Sequence, residues 1–242
     1  MAKLELWDST LKAAMKLPVV NVDRKTFLAK ELKPFCSEEV ICEVINNQKR
    51  ITEVLSKEQI NKLVLGVIKY HLTIVTGTSA LAGLPGGWAL AGTIPADLAQ
   101  FFGHVLALTQ KLIYLYGGKE LTDDGGNLTD EAAQILTIFV GVMFGSQAAI
   151  QGLKETLEML SKGITQVLAK NAVTKTAVYQ LSKQIAKYLG VKLSKDTFIK
   201  GVGKLIPLVG APISGAVTYW TFRPMAMRLK RYLDDNYQAL AN

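Results

Sequence analysis

Residues 72–110 read LTIVTGTSALAGLPGGWALAGTIPADLAQFFGHVLALTQ and carry one formal charge, Asp97. An apolar run of this length faces either lipid or its own protein. Two interruptions decide how it folds. Leu84-Pro85-Gly86-Gly87-Trp88 and Thr93-Ile94-Pro95-Ala96-Asp97 place proline where a continuous helix needs an N–H donor. Spanning a bilayer takes about 20 unbroken apolar residues, so the run makes a poor single membrane span. It reads instead as two helices joined by a tight turn at Pro85, Gly86 and Gly87, with a second start at Pro95.

Helical periodicity continues on both sides. Ile60, Leu63, Val64, Val67 and Ile68 lead into the tract behind a cap at Ser56. Leu98, Phe101, Phe102, Val105, Leu108, Leu112 and Leu115 leave it, and Gly117-Gly118 stops that helix. Upstream, Leu4, Trp7 and Leu11 mark a helix over residues 3–16 that Pro18 ends. Asp23 and Ser37 are caps for two more. Downstream, a polar loop over residues 121–127 precedes a cap at Thr129. A charge-free run of 22 residues, 132–153, follows and is long enough to span a bilayer. Gly141 and Gly145 in that run have the spacing that lets helices approach closely. Residues 155–190 read as one or two amphipathic helices, and 205–222 as a last apolar run. No alternating stretch reads as a strand. The expected fold is all-α: a compact multi-helix bundle with apolar hairpins broken by glycine and proline, and no sheet. Residues 1–58 form an N-terminal cap of amphipathic helices, 59–235 the main helical domain and 236–242 a tail.

The mean hydropathy of +0.21 is high for a soluble chain and low for a polytopic membrane protein. Cys36 and Cys42 have no histidine nearby and suit neither a disulfide framework nor a zinc site, which points to a reducing cytoplasm. The N-terminus has acids early and no secretory signal. The net charge of +8 is uneven, with +3 over residues 1–71, −4 over 72–153, +7 over 154–204 and +2 over 205–242. All ten basic residues of the third block are lysines. Lysines on amphipathic helices suit an anionic lipid surface better than base recognition, where arginine dominates, so no nucleic-acid partner is expected. Lys170, Lys175, Lys183 and Lys187, with Trp88 and Trp220 as interfacial aromatics, are the expected membrane or lipid contacts. The ordinary alternative is a helix packed on a core with its lysines in water.

No reaction is legible. Gly83-Leu-Pro-Gly-Gly and Gly201-Val-Gly-Lys-Leu lack the residues of a nucleotide-binding loop. Asp97, Gln100, His104 and Lys111 share one face of an apolar helix, but no nucleophile accompanies them. Asp97 suits the first turn of a helix, where free N–H groups favour a carboxylate. His104 suits a polar contact between helices. His71 and His104 alone make no catalytic metal site. No catalytic residue, metal or cofactor is assigned.

Five segments resemble the EcsC family, a bacterial family named for a gene beside an ABC transporter operon. They are Val22–Leu32, Ala82–Trp88, Gly92–His104 with Gln110–Gly117, and Lys204–Gly215. The resemblance spans roughly residues 22–230 and is most specific around 82–117. It implies a helical, intracellular, membrane-associated protein with an EcsC-like domain over 59–235, and it supplies no catalytic residues. The expected role is non-enzymatic docking on the cytoplasmic face of the cell membrane, with an anionic lipid surface as partner. The alternatives are a soluble bundle that binds a lipid or hydrophobic peptide, a partner of a membrane transporter, and a pore-forming protein.

Overall fold

The computed structural model describes residues 2–82, 96–123, 125–163, 172–193 and 212–236. Helix starts in it follow the side chains that can accept from free N–H groups. The Thr26 N–H donates to Asp23 Oδ1 at 2.7 Å and opens α2 (Arg24–Leu32). The Val40 N–H donates to Ser37 Oγ and opens α3 (Glu38–Ile45). At α5 (Lys57–Ala82) the cap is reciprocal: Gln59 N–H donates to Ser56 Oγ at 3.3 Å, and Ser56 N–H to Gln59 Oε1 at 2.8 Å. Ala132 N–H donates to Thr129 Oγ1 and opens α7 (Asp130–Met143). Before these lie α1 (Ala2–Met15), a 3-10 turn at Pro18–Val20, and after α3 the single turn α4 (Ile51–Val54). The remaining helices are α6 (Ala96–Leu115), α8 (Gln147–Gln151), α9 (Leu153–Lys162), α10 (Ala172–Leu193) and α11 (Pro212–Asp235). Among the described residues there is no strand, and the one β-type contact is the isolated bridge Thr122–Leu128. The expected all-α bundle is what forms.

The charge-free run 132–153 is not one long helix. Gly145 takes φ +79°, a left-handed conformation that stops α7, and Ser146 then caps α8. No described helix is long and apolar enough to cross a membrane. The run is apolar because α7 is enclosed: Ile135 through Met143 are buried without a break. Residues 102–110 of α6 are buried in the same way. These two helices are the centre of the bundle. Around them, α1 packs on α6 and α10, α10 on α7, and α5 on α6 and α11. Buried side chains from Trp7 in α1 to Leu233 in α11 join one hydrophobic core, so the N-terminal helices share it. Gly141 is needed where α10 crosses α7. A Cβ there would stand 2.5 Å from Ile185 Cγ2 and 2.9 Å from Ala149 Cβ.

The C-terminal carbonyls of α7 are satisfied from other helices. Arg228 Nη1 donates to Met143 O at 2.6 Å and the Tyr188 hydroxyl to Phe144 O at 3.0 Å. Trp7 Nε1 reaches Thr137 Oγ1 at 3.3 Å, so even the first helix is keyed to the centre.

Candidate functional site

Two features stand out in a bundle otherwise explained by packing: two buried histidines with a half-buried lysine, and the nearly charge-free start of α6 and α11.

His71 of α5 and His104 of α6 are 0% and 6% exposed, and their Nδ1 atoms lie 3.2 Å apart. Lys111, one helix face further along α6, places Nζ 3.2 Å from His71 Nε2 and rests over the rings of Phe27 and Tyr70. With Lys111 as the ammonium, the hydrogen bonds run in one direction. A lysine ammonium donates, so His71 Nε2 accepts and its proton sits on Nδ1. That N–H then donates to His104 Nδ1, and the His104 proton is on Nε2. Burial, then the Lys111 charge, then His104 push His71 down to about 3. Burial and Lys111 lower His104 as well. Lys111 is itself lowered by burial, opposed by Glu31 of α2. The rings are therefore neutral at physiological pH. At this exposure neither presents a base to a substrate.

His71 and His104 meet near the middle of α5 and of α6. Phe101 packs edge-on to Phe222 at 5.8 Å, while the Tyr116 hydroxyl donates to Asp234, so α6 and α11 run the same way. The N-terminal ends of α6 and α11 thus lie at the same end. Residues 96–110 of α6 carry one formal charge, Asp97, and residues 212–222 of α11 carry none. On α11 at this end Trp220 is 68% exposed and Tyr219 38%. Arg223 follows one turn on and is exposed. Pro224 lies inside α11 and has no N–H to offer the Trp220 carbonyl.

The opposite end is held by polar contacts. Buried Arg24 donates through Nε to Gly118 O at 3.0 Å and through Nη1 to Ile45 O at 3.4 Å. Tyr114 donates to Glu120 Oε1 at 2.9 Å, and burial followed by that carboxylate raises its phenol. Lys230 pairs with Asp234 at 2.6 Å beside Tyr116.

The expected contact residues divide. Lys175, Lys183 and Lys187 are exposed on α10, whose Val178, Ile185 and Leu189 are buried. Lys175 pairs with Glu131 at 2.9 Å and Lys183 lies 4.6 Å from the Tyr179 ring centre. Trp220 is exposed at the apolar end. Of the polar face, Gln100 is exposed, His104 is buried between helices, and Asp97 is the second residue of α6; the Asp97 side chain lies outside the described residues. Lys170, Trp88, Pro85, Gly86, Gly87 and Pro95 also lie outside them.

An open groove of about 410 Å³ separates α9 from the first half of α10, lined by Met159, Val173, Val178 and Leu181 with Glu155 and Lys162 at its edge. Among the described residues no three His, Cys, Asp or Glu side chains gather as metal ligands. Comparison with family models, curated proteins and solved structures finds no match.

Sequence reading missed the partnership of His71 with His104 and Lys111. The pairing is tertiary: the two histidines are 33 residues apart and sit on different helices.

Proposed function

We propose that the protein is a non-enzymatic helical protein that docks on the cytoplasmic face of the cell membrane through its apolar end. The observation that carries this is the nearly charge-free start of α6 and of α11 at one end of the bundle, with Trp220 and Tyr219 outward and Arg223 behind them. Aromatic rings backed by a cation are the arrangement that rests at a headgroup layer. The α10 lysines add attraction to anionic lipid of about 1 kcal/mol for each one near the surface. Membership of the EcsC family, on the segments quoted above, is part of the same proposal.

Vesicle flotation tests it. The account expects binding to anionic vesicles, weaker binding to neutral ones, and loss of binding in Trp220→Ser combined with Lys183→Glu and Lys187→Glu. Absence of binding to either vesicle overturns it.

A second reading is favoured by the groove between α9 and α10: a bundle that holds a lipid or hydrophobic peptide there. Mass spectrometry of solvent extracts of the purified protein separates the two. A stoichiometric lipid lost in Leu181→Glu supports the groove, and its absence removes that reading.

A further inference from the structure

The only two histidines of the chain meet near the middle of the α5–α6 contact. We propose that this pair is an acid-sensitive latch: proton uptake by His71 or His104 separates α5 from α6. Any use of that opening at a membrane rests on the docking reading, whereas the latch itself needs no lipid.

The geometry leaves no place for another proton. His71 Nε2 is filled by the Lys111 ammonium, and one N–H occupies the 3.2 Å gap between the two Nδ1 atoms. A proton added at His104 Nδ1 would point at the His71 N–H. One added at His71 Nε2 would point at an ammonium. Either sets donor against donor and cation against cation inside a dry contact. The charged groups that act on the rings are Lys111 and, one step further, Glu31 and Lys30 of α2 acting on Lys111. Tyr70 adds an edge-on ring to His71. No charged group of α1, α7 or α11 is among those that act on either ring. No carboxylate therefore stabilises the imidazolium, and protonation and closure exclude each other.

In the open form the imidazoles meet water and titrate near 6.5. Each pH unit below that value favours the open form about tenfold per imidazole.

The test is amide hydrogen exchange of the full chain without lipid, from pH 7.5 to 4.5, corrected for intrinsic rates. Wild type should lose protection in residues 71–82 and 96–104 before α7 and α10. His104→Asn keeps an acceptor for the His71 N–H and removes one proton site, and should move that loss down by about one pH unit. His71→Gln, which keeps an acceptor for Lys111, should do the same. An unchanged midpoint in the variants overturns the latch. If neither variant folds, wild type decides through the imidazole proton resonances. Protonation coincident with loss of α5–α6 protection supports the latch, and protonation with protection intact overturns it. Opening by acid together with no vesicle binding at any pH keeps the latch and removes the docking proposal.

Discussion

The two ends of α6 and α11 are held differently. Where they finish, polar groups are paired: Arg24 with the Gly118 and Ile45 carbonyls, Tyr114 with Glu120, and Tyr116 across to Asp234 with Lys230. Where they start, the described contact between them is aromatic, Phe101 against Phe222. Directional bonds fix a geometry, and removing one partner strands the other. Apolar contact is non-directional and exchanges readily for another apolar surface, a lipid layer included. On the docking proposal, the first end holds the bundle together and the second meets the membrane. The His71–His104 pair stands between them.

Breaking the polar end should have the largest effect on stability. Arg24→Ala leaves two carbonyls without their donor and opens a cavity, and should cost about 3 kcal/mol in urea unfolding. Next comes the boundary. His71 is held well below its ordinary value, to about 3, so the folded state binds fewer protons than the unfolded chain between pH 6.5 and that value. Stability is therefore full above pH 6.5 and lost as pH falls. His71 alone should account for about 2 kcal/mol at pH 5, seen as a slope in stability between pH 6.5 and 5. His71→Leu should flatten that slope. Smaller again is Tyr116→Phe, which removes the hydroxyl from Asp234 while Lys230 keeps its ion pair, at about 1.5 kcal/mol. Trp220→Ser should fall within about 0.5 kcal/mol of wild type, because the ring is mostly in water, yet it should weaken vesicle association. A large stability loss in Trp220→Ser would move that ring from the contact surface into the packing.

The helix starts were legible because capping is local. Asp23, Ser37, Ser56 and Thr129 each accept from an N–H three residues on, within one window of sequence. The ends at Gly117-Gly118 and Pro18 were legible for the same reason. The run 132–153 was harder. Its composition suits a bilayer and a bundle centre equally, and the left-handed Gly145 that divides it depends on the packing of Arg228 and α8 around it. The polar face on α6 was legible as a periodicity but not as a site. Its residues 100, 104 and 111 look alike in sequence, yet α5 covers 104, α2 and Tyr70 shield 111, and 100 stays in water. What unites His104 with Lys111 is His71, on another helix. The lysines of α10 show the same limit. Their spacing on the solvent side follows from Val178, Ile185 and Leu189, but the pairing of Lys175 with Glu131 is tertiary.

The most direct test is hydrogen exchange at neutral pH with and without anionic vesicles, compared between the two ends of α6 and α11. Docking through the apolar end slows exchange with vesicles at residues 96–101 and 212–220, and leaves 111–118 and 229–235 unchanged. Slowing at the polar end, or equal slowing at both, would contradict it.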